Sequence, residues 1–312
     1  MTMTQSIGPA TGTADETPTR PPGLLSLLLA DKFATAAVVF LTLVVFSAVF
    51  GPALLGDAAS KVAFRGRNIA PFQFEHGWLM ILGSDSLGRS ILARIVVAAQ
   101  NTMLVAFLTV VSAGLIGGTL GLIAGYSRKL MSDVILRLAD VIMSFPSLLL
   151  AVIVLYMLEP AVGNLVLVLA ITRIPIYLRT TRAEVLEIRE RMFVQAAKVM
   201  GASNMRITFV HILPMVLPTL LTIATLDFAF VMLAESSLSF LGIGIQPPEI
   251  TWGLMVAQGR PYMNQAWWLS FWPGLTIVLT TMSLNLLSNW LRTVLDPTQR
   301  WRLEQRKEAA NG

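Results

Sequence analysis

The 312-residue chain is 55% hydrophobic and only 13% charged, with a mean hydropathy of +0.69. That is too little charge to coat a soluble domain of this size, so composition places it among integral membrane proteins. The absence of cysteine excludes disulfides and thiolate metal sites, and His76 and His211 stand too far apart in sequence to suggest a histidine metal site. The net charge of +5 comes from basic residues interleaved with apolar runs, so it points to membrane topology and away from nucleic acid.

In chain order, residues 1–22 are rich in Thr, Pro and Gly and carry hardly any large apolar side chains. Such a segment cannot bury enough surface to offset the entropy of ordering, and a disordered tail is expected over about 1–30. The apolar run 33–55 is long enough for a first span and too long for the core of a signal peptide. A polar segment follows over 56–100, carrying Lys61, Arg65, Arg67, Arg89 and Arg94. Near its end, Gly83-Ser84-Asp85-Ser86-Leu87-Gly88-Arg89 reads as a capped, exposed turn or as a substrate contact.

The second span is expected at 103–126, where Gly114, Gly117, Gly118, Gly121 and Gly125 recur at small-xxx-small intervals that let two helix backbones approach closely. These glycines are not a phosphate loop, because no Lys-Ser/Thr ending follows a glycine-rich stretch anywhere in the chain. A third span at 134–158 contains Pro146, which removes a helical hydrogen bond and predicts a kink, static or hinged; Asp140 lies one turn from Arg137 and predicts a local ion pair. A fourth, at 163–178, ends in Arg173, Arg179 and Arg182.

Residues 181–214 interrupt the apolar text. Val185, Ile188, Met192, Phe193, Ala196, Ala197 and Met200 recur at helical steps opposite Arg191, Gln195 and Lys198, which predicts an amphipathic helix. Gly201 supplies a left-handed stop, and Ser203 then caps a second short helix. Periodicity alone fits this segment equally well to a helix lying on lipid.

The fifth span, at 214–241, contains Asp227 and Glu235, both expensive in hydrocarbon. For Asp227 two accounts stand: it lines a translocation path, or it bonds a polar group on a neighbouring span. Pro247 and Pro248 break the helix, and Trp267, Trp268 and Trp272 predict an aromatic belt at the mouth of a sixth span at 270–291. With an inner N-terminus, 17 of the 23 Lys and Arg fall on inner segments and 6 on outer ones, which places both termini and the 181–214 segment in the cytoplasm.

Several of these stretches resemble one family, the inner-membrane permease subunits of ABC importers. Gln195-Ala196-Ala197, Gly201 and His211-Ile212-Leu213-Pro214 match its Glu-Ala-Ala, Gly and Leu-Pro loop, with Gln195 in place of the usual Glu. The Gly83–Arg89 stretch, Asp140 with Phe145-Pro146, the run from Glu235 through Thr251-Trp252-Gly253, and Leu291-Arg292 through Asp296-Pro297 resemble the dipeptide/oligopeptide/nickel branch. Together they cover about residues 30–298. The resemblance implies an all-α membrane protein of six transmembrane helices, with a cytoplasmic coupling-helix loop between spans four and five. It also implies a division into 31–100 (first span and extracytoplasmic loop), 101–298 (permease core) and 299–312 (cytoplasmic C-terminal tail).

Within that loop the resemblance assigns ATPase coupling to Gln195, Ala196, Ala197, Gly201, His211, Leu213 and Pro214, while Asp227 and Glu235 are candidates for the translocation path. The implied partners are a second homologous permease, one or two cytoplasmic ATPase subunits and an extracytoplasmic solute-binding protein, in a bacterial-type inner membrane. Neither a catalytic set nor a cofactor is expected. Dipeptides or oligopeptides are the expected cargo, with a nickel complex, glutathione or another small solute as alternatives. A stand-alone secondary transporter would require inverted repeats and a chain of intramembrane ionisable groups, and no convincing repeat is found.

Overall fold

The computed structural model describes residues 24–127 and 129–295; residues 1–23 of the tail expected over 1–30, Arg128 and residues 296–312, with Asp296-Pro297 and the expected C-terminal tail, lie outside the described residues, while residues 24–30 of the expected N-terminal tail are helical. A short helix α1 (Leu24–Ala30) leads into α2 (Lys32–Ser60), whose first amides are capped by the Asp31 carboxylate. Leu27 of α1 is buried against Val294 and Trp290, so α1 joins the first span to the last.

After a loop of short 3-10 turns, α3 (Ile91–Tyr126) runs for 36 residues, about 54 Å at 1.5 Å per residue and well beyond the ~30 Å of a hydrocarbon core. It begins twelve residues before the expected start at 103, because the Ser90 hydroxyl caps it by accepting the Ala93 amide. The polar Asn101 is tolerated within the helix because its side chain donates to Glu249 and to the Ile250 carbonyl.

The expected third span is two helices, α4 (Lys129–Met143) and α5 (Ser147–Met157), bent by 82° about Pro146. That is a break rather than a kink, since proline denies an amide to one turn and clashes with the one before. Asp140 pairs with Arg179 of α6 and not with Arg137, which corrects the expected one-turn pair.

The next helix, α6 (Val162–Ile188), continues ten residues past the expected end at 178, so Arg173 lies within the helix and not at its inner end. α7 (Met192–Val199) and α8 (Asn204–Arg206) are short. A π-helical stretch, Ile207–Ile212, carries α8 straight into α9 (Leu213–Phe240). The chain then passes through α10 (Trp252–Gly259) to α11 (Trp268–Leu295).

Among the described residues five helical segments are long and apolar enough to cross a membrane: α2, α3, α6, 204–240 and α11; the bent α4–α5 pair is a sixth candidate. The architecture is all-helical, and among the described residues the only β-type pairing is one isolated bridge between Ser84 and Ser90.

Close packing of α3 on α6 is the centre of the bundle, and the glycine stripe explains it. A Cβ on Gly117 would lie 2.6 Å from the Ile174 carbonyl, on Gly121 2.5 Å from Thr181 Cβ, and on Gly125 2.5 Å from Val185. Only glycine lets these backbones meet, as the small-xxx-small spacing predicts.

The two ends of the bundle differ. At one, the α2–α3 loop is packed under α10 and the start of α11. At the other, Leu122, Val185, Ile188, Val194, Ala197, Ile207, Ile212 and Val216 form a separate buried cluster under α7.

Candidate functional site

At the α7 end, residues 189–206 project as a knob. The expected continuous helix through 181–200 is interrupted between Ile188 and Met192, so the apolar face divides. Val185, Ile188, Val194 and Ala197 are buried and hold the knob to α3, α6 and α9. Met192 is 89% exposed, Val199 89% and Met200 80%, contrary to the single buried face that periodicity predicts. Sequence spacing cannot register a break of three residues, which rotates α7 relative to α6.

The turn after α7 is a complete Schellman motif. The Ala202 amide donates to Ala197 O and the Gly201 amide to Lys198 O, both at 3.0 Å, with Gly201 at φ +81°. Ser203 then caps α8 by accepting the Arg206 amide, as its sequence position predicts. Of the sequence-derived loop residues, Ala197 is buried, while Gln195, Ala196 and Gly201 are exposed. Gln195 donates to the Arg189 carbonyl at 3.1 Å and so braces the knob from within.

His211 lies in the π-helical stretch and Pro214 directly after it. Pro214 has no amide to offer and its ring crowds the carbonyl four residues back, so the preceding turn widens and Leu213 N–H reaches Thr208 O instead. The Leu-Pro signature therefore sets how the knob enters the membrane helix. This is also why the fifth helical segment begins at Asn204 and not at 214.

Within the bundle, Asp227 is buried and paired with Arg173 across the α6–α9 contact, with Tyr177 alongside. The Arg173 guanidinium also lies over the Phe230 ring, 4.2 Å from its centroid. Of the two accounts of Asp227, the one with a polar partner on a neighbouring span matches this geometry. Sequence reading missed the pair because it placed Arg173 at a helix end; two opposite charges within apolar runs were the available signal.

Glu235 is fully buried near the end of α9 and accepts from Ser239 Oγ at 2.7 Å and Ser236 Oγ at 3.3 Å. Gly253 of α10 packs directly on the Ser236 backbone there. Neither carboxylate is an exposed channel-lining group in the isolated subunit.

At the loop end, Asp85 is buried, not part of an exposed turn. Its Oδ1 accepts the Leu87 and Arg89 amides at 2.9 and 2.8 Å, and its Oδ2 accepts from Arg89 Nε at 2.7 Å and Arg94 Nη1 at 2.6 Å. Arg94 also donates to Gln258 Oε1 at 2.8 Å, tying α3 to α10. Trp268 is buried beside Gly83 and donates to Ser84 O at 3.2 Å, so of the expected aromatic belt only Trp267 is well exposed while Trp272 packs against Phe72, Trp267 and Phe271. Gly88 at φ +78° presses on the Ala63 carbonyl, which leaves no room for a side chain.

The bundle of apolar spans and its protruding knob can be set beside known proteins. Residues 117–301 match the family described as binding-protein-dependent transport system inner membrane component. The chain belongs to this family. It is therefore a membrane permease component of ABC transporters and not an enzyme.

The permease is 38% identical over 269 residues to the di/tripeptide transport system permease protein of Pseudomonas aeruginosa strain UCBPP-PA14, covering 86% of this chain and 88% of that protein. It is 38% identical to the dipeptide transport system permease protein of Escherichia coli K12, over 86% and 89% of the two chains. To the probable D,D-dipeptide transport system permease protein of the same strain it is 34% identical, over 88% and 90%.

Proposed function

We propose that the permease forms half of the translocation path of an ATP-driven importer of dipeptides or oligopeptides. It works with a second homologous permease, one or two ATPase subunits and a solute-binding protein. The peptide cargo is supported by the relatives, which are named for dipeptide and di/tripeptide transport. The observation that carries coupling is the knob. Its inner face is clamped by a buried apolar cluster while Met192, Val199 and Met200 point outward, so a push on the exposed face moves α6 and α9 together.

Gln195, Ala196, Ala197, Gly201, His211, Leu213 and Pro214 thus divide into roles. Gln195, Ala197 and Gly201 shape the knob, Ala196 lies on its exposed surface, and His211, Leu213 and Pro214 join it to the span. The decisive assay is ATP-driven import of labelled dialanine by proteoliposomes holding the whole complex and its binding protein. In that assay Gly201→Val forces a β-branched residue into left-handed backbone, a strain of about 1–2 kcal/mol, although no atom lies within 4 Å of an added Cβ. The variant assembles but imports several-fold more slowly, whereas Gly201→Asn, which tolerates φ above zero, stays near the parent. Parental import by Gly201→Val would remove the knob's turn from the coupling account.

We place the knob in the cytoplasm and the α2–α3 loop outside, in a bacterial-type inner membrane with both termini inside. Since the sequence has no native cysteine, Lys198→Cys should react with an impermeant maleimide only from the cytoplasmic face. Trp78→Cys should react only from the opposite face. The reverse labelling inverts the topology.

A further inference from the structure

Between the Gly83–Arg89 turn, the first turn of α3 and α10 lies a cavity of about 390 Å³, within the range of small-ligand sites. Its charged lining is Asp85, Arg89 and Arg94, so two guanidinium groups face one carboxylate. Asp85 has no capacity left, since each oxygen already accepts two hydrogen bonds, two from backbone amides and two from the arginines. Arg94 is 3% exposed, yet its Nε has no protein acceptor. A buried guanidinium N–H without an acceptor is costly, and the single carboxylate shared by Arg89 and Arg94 leaves the cluster one positive charge in excess.

The remaining wall supplies Gln258, whose Oε1 holds Arg94, with Tyr262 and the apolar Met255 beside it. Planar guanidinium groups flanking an acceptor-poor cavity match a carboxylate.

We propose that this cavity receives the C-terminal carboxylate of a short peptide arriving at the extracytoplasmic mouth, using Arg89 and Arg94 as the recognising groups. The assignment rests on the peptide-import reading above. A carboxylate is common to every linear peptide whatever its side chains, so a site for it is compatible with varied cargo. Asp85 is the positioning residue: it orients both arginines and is not itself available to the ligand.

The test is isothermal titration of the purified full transporter, without its binding protein, using dialanine, dialanine amide and sodium acetate. Dialanine binds, the amide binds at least tenfold more weakly, and acetate displaces dialanine only at much higher concentration. Arg89→Gln, which leaves the Asp85–Arg94 pair intact, lowers dialanine affinity to that of the amide. Gln258→Glu, which sets a carboxylate on Arg94 from within, abolishes binding.

Equal affinity for dialanine and its amide, or undiminished dialanine binding by both variants, overturns the proposal. Acetate competing as well as dialanine assigns the cavity to a free small acid instead and overturns the peptide claim. Arg89→Gln weakening only the docking of the binding protein, with no heat from dialanine in the parent, reassigns the arginines to an acidic residue of that protein. The parallel import assay separates the two readings. A parent that imports dialanine without carboxylate-selective binding loses only this site, whereas a parent with selective binding and no import loses the peptide-import function.

Discussion

Asp227→Ala should destabilise the folded permease by about 3 kcal/mol, the low end for breaking a buried pair, because it leaves the largely buried Arg173, 16% exposed, without its counter-charge. The pair joins α6 to α9 inside the bundle, with Tyr177 beside it and Phe230 under the guanidinium. Thermal unfolding of the purified complex should show the loss directly. Asp227→Asn keeps shape and hydrogen bonding but not charge and should fall between Ala and the parent.

The informative variant is the double substitution Arg173→Met with Asp227→Leu, which replaces the pair with apolar side chains of similar bulk. Such replacements are commonly neutral or stabilising, so most of the lost stability should return. If the double variant is stable and still imports dialanine, the pair is a strut. If it is stable and silent, the charges serve translocation. A single Asp227→Ala as stable as the parent would show that the pair contributes nothing to the fold.

Gly121→Ala should cost about 1–3 kcal/mol by overpacking, and Gly121→Leu should prevent accumulation of folded subunit. The added Cβ meets Thr181 Cβ at 2.5 Å and the Leu178 carbonyl oxygen at 2.7 Å, and a backbone oxygen cannot swing aside. Gly118→Ala is the internal control, since its Cβ meets only Leu220 Cδ1 at an ordinary 3.5 Å. Unfolding midpoints should therefore drop for Gly121→Ala and hold for Gly118→Ala. Thr181→Ala should rescue only a small part of the loss, because it removes the methyl at 2.9 Å but leaves Thr181 Cβ at 2.5 Å and the Leu178 carbonyl at 2.7 Å. Equal midpoints for the two alanine variants would show that the stripe is not the α3–α6 contact surface.

The sequence by itself determined five of the apolar spans, the glycine stripe, the left-handed stop at Gly201 and the Ser203 cap, because each is written in one continuous stretch of the chain. It also determined membership of the permease class, through motifs held at fixed spacing. Tertiary structure alone decided which charge meets which. Asp140 chose Arg179 over Arg137 at one turn's distance, and Arg173 met Asp227, because helices distant in sequence pack side by side and bring together residues 39 and 54 positions apart.

Span ends shifted for the same reason. Asn101 looks like an end of α3 until Glu249 and Ile250 O satisfy it, and Arg173 looks like an end of α6 until Asp227 does. The Asp85 turn reads as solvent-exposed because its composition is polar, yet α10 and Trp268 cover it and turn the same residues into a buried anchor. Local chemistry thus fixes where a helix can start, turn or approach another. Burial and partner choice for each polar group belong to the assembled bundle, because only there is water excluded and a distant acceptor brought within reach.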